Sequence, residues 1–358
     1  MSTSTGNEVS IVVLNWNGWK DTIECLESVF RLDYVGFRVI VCDNASSDGS
    51  MEKIKQWAKG ELVAEASSPE LSRLISPPVP KPIRFIEVLP DQMQSAAADS
   101  TAQLTLIQTG ANLGFAGGNN TGLRYALRDP NCQFFWMLNN DTVVEPASLS
   151  AMVHLMQVQP TIGLCGSLAL FYYSPREVQS EGGLHYSRWT ARVSRPPKRT
   201  IHELTAEPAR MDYVNGVSML ARRTFLDRVG LMEESYFLYF EEMDWAMRTR
   251  GKFGLGYARE SVIYHKEGSS IGSNIDRKKR SLLSDKYLSR NRALFTKRFL
   301  PWALPSVVTA IMLAAVHRLI HGDVERFKGM IISMIQGLLA KSMPKKNLGV
   351  GDGRSDVA

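Results

Sequence analysis

The sequence predicts an open, doubly wound α/β sheet, and three observations carry that expectation. Residues 9–14 (Val-Ser-Ile-Val-Val-Leu) form a β-branched run that stops at Asn15-Trp16-Asn17-Gly18, as a buried parallel strand entering a loop does. A helical pattern over 19–30 and a second apolar run over 38–42, ending at Asp43-Asn44, repeat the unit. A further helical stretch at 50–59 completes strand–helix–strand–helix, the order that builds a parallel sheet covered on both faces.

Residues 61–103 break this rhythm. They are rich in Ala, Ser, Pro and Gln, with Pro77-Pro78, Pro80 and Pro82 close together. A loop insertion is expected there, with one strand at 83–88 and much of the remainder mobile. The sheet resumes at 104–108 and 134–138, and beyond Cys165 the pattern is mixed, with an acidic-aromatic segment at 233–248 and no internal repeat.

A chain of 358 residues can bury one large α/β core or two smaller ones. Its 44% hydrophobic and 22% charged content excludes a disordered chain. Cys25, Cys42, Cys132 and Cys165 lie scattered in or beside apolar runs without a Cys-x-x-Cys pair, so they read as reduced core residues. Residues 1–8 are polar and lack a basic start followed by an apolar run, which places the expected chemistry on the cytoplasmic side.

The net charge of +6 is uneven. Residues 277–298 hold nine Lys or Arg (Arg277, Lys278, Lys279, Arg280, Lys286, Arg290, Arg292, Lys297 and Arg298) against Asp285. One basic block beside the uncharged run 299–316 argues for an anionic membrane surface, and against a nucleic acid partner. That run is just short of the ~20 residues of a bilayer span, and 330–340 is shorter still. Amphipathic helices lying on the leaflet are expected, a helical lid buried over the sheet being the other reading.

In an open α/β sheet, ligands bind beyond the carboxyl ends of the strands. Three such ends carry polar clusters: Asn15-Trp16-Asn17, Asp43, and Asn139-Asn140-Asp141. Turn chemistry explains any one of them, whereas three together indicate a ligand site. The glycine-rich segment 112–120 resembles a phosphate-binding loop, yet is neither a Walker A nor a dinucleotide fingerprint. Asp141 offers a carboxylate suited to Mg²⁺ or Mn²⁺ shared with substrate phosphates. Glu241-Glu242-Met243-Asp244-Trp245 follows the aromatic run 236–240, a setting that desolvates carboxyls and suits a general base. A solvated helix start with a simple Asp244–Arg248 pair is the alternative. His265 reads either as a core-edge histidine or as a metal ligand.

Segments 9–18, 41–49, 112–120, 139–141, 214–223 and 230–248, followed by His265, resemble in that order the family 2 glycosyltransferases. The resemblance covers about 9–270 and is nearest to the rhamnosyltransferase-like branch that builds bacterial O-antigen, cell-wall and exopolysaccharide chains. It implies a GT-A fold: a Rossmann-like, mostly parallel sheet flanked by helices, here followed by C-terminal helices at 271–342 and a disordered tail at 343–358. It also implies inverting transfer of a sugar from a nucleotide diphosphate donor to a hydroxyl of a glycan or lipid-linked saccharide. The first donor is dTDP-L-rhamnose, with UDP-galactofuranose or a UDP-N-acetylhexosamine next.

The same resemblance assigns residues. Leu14, Asn15, Asn17 and Asp43 would hold base and ribose, while Asn112, Gly114, Phe115, Gly118, Asn119, Asn139 and Asn140 would shape the donor pocket. Asp141 and His265 would bind the metal, and Asn215, Gly216 and Trp245 would line the acceptor side. Glu242 is the implied base, with Glu241 and Asp244 beside it. The sequence departs from the family at three points: two Asn open the metal motif, Glu stands at the base, and Glu233-Glu234 replaces Asp-Glu. Two other classes compete. A sugar-nucleotide pyrophosphorylase would need basic residues in the first loop, and 14–18 has none. A membrane-attached glycan-binding module would not need both Asp141 and the 241–244 acids.

Overall fold

β-branched runs separated by amphipathic stretches fold here as the alternation predicts. β1 (Val9–Asn15), α1 (Trp19–Val29), β2 (Phe37–Asp43) and α2 (Ser50–Lys59) open the chain. β3 (Phe85–Val88), β4 (Leu104–Gln108), α3 (Gly114–Ala126), β5 (Phe134–Asn139), β6 (Thr142–Val144) and α4 (Ser148–Val158) follow. Next come β7 (Ile162–Phe171), β8 (Ser174–Glu181), β9 (Gly183–Tyr186), β10 (Val193–Ser194), β11 (Tyr213–Val214) and β12 (Ser218–Arg222). The chain continues through α5 (Arg223–Val229), α6 (Glu241–Thr249) and β13 (Gly254–His265) to α7 (Leu282–Phe299), α8 (Leu304–Ile320) and α9 (Val324–Leu339). This computed structural model describes residues 9–93, 102–194, 197–205, 210–267 and 281–340. The expected tails at 1–8 and 343–358, residues 94–101 of the insertion, and Arg277, Lys278, Lys279 and Arg280 lie outside the described residues.

Among the described residues one sheet runs β10-β9-β8-β7-β12-β5-β1-β2-β4-β3, with β11 on β9 and β13 on β6 and β7. The segment β5-β1-β2-β4-β3 is parallel throughout, and β12 enters antiparallel between β5 and β7. Strand periodicity sends alternate residues to opposite faces. Ile11, Val13, Val39, Val41, Trp136 and Leu138 join Ile23, Leu26, Trp57 and Met152 in the core under α1, α2 and α4. Val12, Ile40, Cys42, Phe135 and Met137 face the other way and meet Leu123, Phe225 and Trp245. All four cysteines are free and buried.

The insertion is better anchored than its composition suggests. Leu71, Leu74 and Ile75 are buried against Val143, Leu168, Leu170 and Tyr172, so its apolar side chains have a core to join despite the prolines. Its strand, β3, is an edge strand parallel to β4.

Four cations of the basic block are tied inward. Arg290 donates to the Ser235 carbonyl, Arg292 to Thr190 O, and Arg298 to Asp244 and Glu233. Lys297 donates to the carbonyls of Leu338 and Ala340, which end α9. These cations find oxygen partners within the protein, so α7 packs on the sheet domain as a structural helix. The apolar run behaves otherwise. Residues 301–320 are long and apolar enough to cross a membrane, with mean hydropathy 1.7, yet Val307, Ile311 and Ala315 pack inward. Leu313, Ile320, Ile332 and Leu339 are exposed on α8 and α9.

Candidate active site

β5, β1 and β2 lie side by side and end level, Leu14 facing Asn139 and Asn15 facing Asp43. Their end residues therefore hydrogen-bond in a row. Asn140 Nδ2 donates to Thr22 Oγ1 at 3.0 Å, Thr22 Oγ1 to Asn15 Oδ1 at 2.7 Å, and Asn15 Nδ2 to Asp43 Oδ1 at 2.7 Å. Asp43 Oδ2 then accepts the Ser46 backbone N–H at 3.0 Å, while Asn17 Oδ1 accepts that of Ser47 at 2.7 Å. Beyond this row opens a cleft of about 470 Å³ lined by Asp43, Ser46, Ser50, Lys55, Gln108 and Gly110. Its size falls in the range of small-ligand sites.

Asn44 ties β2 to the glycine-rich loop. Its amide donates to Asn112 Oδ1 (3.0 Å) and Gly114 O (3.1 Å) and accepts from Leu113 N (3.0 Å). Gly114 has φ 70°, and a Cβ there would overlap the Phe237 carbonyl, so glycine is required twice over. Phe115 N donates to that same carbonyl at 2.7 Å. Gly118 and Asn119, expected to shape the pocket, instead face inward. The space beside Gly118 is filled by Leu14, and Asn119 donates to Phe115 O one helical turn back.

Asp141 follows β5, and β13 brings His265 beside it through the Thr142–His265 pair. Asp141 Oδ1 lies 3.2 Å from His265 Nε2, and both side chains are buried. Burial alone would raise the carboxyl and lower the imidazole, but each stabilises the other's charge: Asp141 ends below its usual value and His265 above. His265 Nδ1 meets Gln179 Oε1 at 3.0 Å, a partner that fixes the ring and that no sequence motif marked. One carboxylate oxygen and one imidazole nitrogen are donors that would suit Mg²⁺ or Mn²⁺ shared with substrate phosphates. Among the described residues no group of three or more His, Cys, Asp or Glu gathers as a metal cluster. Of the motif's two asparagines, Asn140 is occupied by the row and Asn139 is half-buried at the strand end.

The acids of α6 meet different fates. Glu242 is half-buried against the Gly216 turn, whose backbone N–H its carboxyl accepts, and a Cβ on Gly216 would overlap Glu242 Oε1. That turn adjoins Asn139, whose N–H donates to Val217 O at 3.0 Å. Asn215 Nδ2 in turn holds Ser180 Oγ at 2.9 Å. Burial raises the Glu242 carboxyl to about 7. Glu241 is 2% exposed with Oε2 unpartnered, and burial, then the neighbouring Glu242, pushes its carboxyl well above the ordinary range.

Asp244, expected among the catalytic acids, is wholly enclosed. Arg248 Nε (2.6 Å), Arg298 Nη1 (2.7 Å) and the Tyr236 hydroxyl (3.2 Å) donate to it. Burial raises its carboxyl even though both guanidiniums pull it down. Trp245, expected on the acceptor side, is also wholly buried, donating Nε1 to Gly230 O and packing edge-on against Phe225. Its large apolar area is worth more in the core than at a polar cleft. The lead into α6 is strained: Phe237, Tyr239 and Phe240 have φ 62°, 67° and 78°, at a cost of about 1–3 kcal/mol each.

The profile of "Glycosyl transferase family 2" matches residues 10–70 and 89–226. A low-salt glycan biosynthesis hexosyltransferase of Haloferax volcanii is 27% identical over 154 residues, 40% of this chain and 45% of that protein. An N-acetylglucosaminyl-diphospho-decaprenol L-rhamnosyltransferase of Mycobacterium tuberculosis is 26% identical over 200 residues, 51% of this chain and 65% of that protein. The chain thus spans less than two thirds of either relative. Among solved structures, a mannosyltransferase of Pyrobaculum calidifontis, in complex with GDP-Man and Mn²⁺, overlays with a TM-score of 0.49. It is 15% identical, over 95% of this chain and 89% of that one.

Removing one partner of a buried ion network leaves the others uncompensated. Asp244→Asn is expected to lower stability by roughly 3 kcal/mol and to leave nucleotide affinity unchanged. Thermal melts alongside dTDP titration check this, and an unshifted Tm would remove Asp244 from its structural role.

Proposed function

The chain belongs to glycosyl transferase family 2, and we propose that it is an inverting sugar transferase in which Glu242 is the general base. The observation that carries this reading is the Glu242 carboxyl on the Gly216 turn, raised by burial to about 7, where a base is effective at neutral pH. Glu241 beside it is more deeply buried, and that burial pushes its carboxyl well above the ordinary range.

The row from Asn140 to Asp43 and the cleft beyond it support a nucleoside diphosphate sugar as donor. An acceptor hydroxyl against Glu242 gives its proton to the carboxylate as its oxygen attacks the anomeric carbon. The bond to the diphosphate breaks on the opposite face, its electron pair leaving with the nucleoside diphosphate. One displacement inverts the configuration and needs no covalent sugar–enzyme intermediate. Asp141 and His265 would hold Mg²⁺ or Mn²⁺, which when bound supplies Lewis acidity to the leaving diphosphate.

dTDP-L-rhamnose is the proposed donor and a lipid-linked saccharide the proposed acceptor, supported by the likeness to the mycobacterial rhamnosyltransferase. UDP-galactofuranose or a UDP-N-acetylhexosamine is the alternative donor, and the likeness to the haloarchaeal protein supports a hexose more broadly. The protein is proposed to act on the cytoplasmic face of a membrane. The exposed apolar side chains of α8 and α9 support contact with acyl chains, whereas α7 has spent several of its cations internally.

Glu242→Gln is expected to lower turnover about 10²- to 10⁴-fold with donor affinity nearly unchanged, read as nucleoside diphosphate release from a panel of sugar nucleotides. The wild-type rate should rise with pH through about 7, because only the ionised carboxyl accepts the proton, and the variant should lack that limb. Near-normal turnover in the variant refutes the assignment. Excess chelator is expected to stop nucleotide release and Mn²⁺ or Mg²⁺ to restore it, whereas Asp141→Ala should stay folded and inactive. A full rate in chelator rejects the metal site. In flotation with vesicles, neutral phosphatidylcholine should capture the protein nearly as well as anionic lipid, and Leu313→Glu with Ile320→Glu should release it. Binding to neither vesicle ends the membrane proposal.

A further inference from the structure

The segment entering α6 has no local reason for its shape. Phe237, Tyr239 and Phe240 occupy the left-handed region, yet none is the Gly, Asn or Asp that adopts it readily. α6 also begins without a side-chain cap, its N-cap position being Phe240. A backbone of this kind persists only where its surroundings over-determine it.

The surroundings are supplied by α7. Asn291 is wholly buried, and its Nδ2 donates to the carbonyls of Tyr236 (2.8 Å), Leu238 (2.8 Å) and Tyr239 (3.1 Å). An amide carries two N–H bonds, so one is shared between carbonyls. Asn291 Oδ1 accepts Arg290 Nη1 at 2.7 Å, and the same nitrogen donates to Ser235 O at 2.8 Å. Tyr287 stacks on Phe237 with ring centroids 4.9 Å apart, and the Tyr239 hydroxyl meets Ser284 Oγ at 3.0 Å. On its other side the segment receives Phe115 N at the Phe237 carbonyl.

We propose that Asn291, braced by Arg290, is a positioning residue for sugar transfer: by pinning the carbonyls of Tyr236, Leu238 and Tyr239 it sets where α6 starts and hence where Glu242 meets the Gly216 turn. This rests on Glu242 as the base. The aromatic segment supplies mass to the core between α6 and α7, where Tyr236 and Phe240 are buried, while Asn291 supplies the turn chemistry that glycine would otherwise give. Loosening the clamp lets α6 shift and admits water to the Glu242 carboxyl, whose elevation comes from burial.

The test uses the full chain with Asn291→Ala, Asn291→Asp and Arg290→Ala. Asn291→Asp turns the donors into acceptors facing three carbonyls, and Arg290→Ala removes only the partly exposed brace. Hydrogen exchange should accelerate about 10-fold or more over 235–243 in the Asn291 variants, with β1 and β5 unchanged. Turnover should fall about 10- to 100-fold, the scale of a small misplacement of a reacting group. Affinity for dTDP should stay within about twofold, because Asp43 and Ser46 lie on elements that Asn291 does not touch. The acid limb of the rate should move below 7, a shift that mere loss of stability does not produce. Arg290→Ala should show the same signs at smaller size, and carries the test if Asn291 variants do not fold. Wild-type exchange over 235–243 in a folded variant overturns the clamp, and faster exchange with an unmoved rate and acid limb overturns its link to Glu242. A wild-type protein that releases no nucleotide from any sugar nucleotide counts against Glu242 as base, and the exchange data then decide the clamp separately.

Discussion

Parallel strands that end level bring together polar side chains which, buried at the carboxyl end of the sheet, must find partners among themselves. The row Asn140–Thr22–Asn15–Asp43 is the consequence: each member satisfies the next, from β5 through the start of α1 and β1 to β2. Asn15 and Asp43 are almost fully buried, so an unpaired member would carry the desolvation cost of a lost hydrogen bond, about 1–3 kcal/mol. With the row in place, the loops beyond each strand are fixed relative to one another. Asn44 extends the same order to the glycine-rich loop, and that loop touches Phe237 ahead of α6. The nucleotide end and the acid end of the site are thus parts of one connected lattice.

Within that lattice, the acids of α6 show how environment divides one residue type into several roles. Asp244 has two guanidiniums and a phenol and serves the fold. Glu241 has burial without an ion partner, which pushes its carboxyl well above the ordinary range. Glu242 has a backbone donor and is only half-buried, which leaves it able to exchange a proton near neutrality. The glycine at 216 makes room for that carboxyl, so acceptor side and base are a single packing unit.

α7 works as the hinge between this chemistry and the C-terminal helices. Its cations neutralise Asp244 and Glu233 and close the end of α9, and its Asn291 grips the approach to α6. Outward from it, Trp302 on the α8 side stacks edge-on with Trp189, both more than half exposed, and the apolar side chains of α8 and α9 continue that surface.

Local pattern by itself determined the doubly wound parallel order, because β-branched runs and amphipathic stretches report strand and helix within a few residues of chain. It also determined the three polar strand ends, since a strand's last residue and its loop are contiguous in sequence. The order of motifs added the family and the candidate base. Only the tertiary structure decided what long-range contact decides: that Thr22 links Asn140 to Asn15, that Gln179 orients His265, and that Gly118 and Trp245 serve packing. Composition gave no sign of the inward partners at 290–298, where charge reads as a surface until partners are known. Arg292 and Arg298 find theirs about 100 and 54 residues away, at Thr190 and Asp244, and a hydrogen bond of that span leaves no trace in local periodicity.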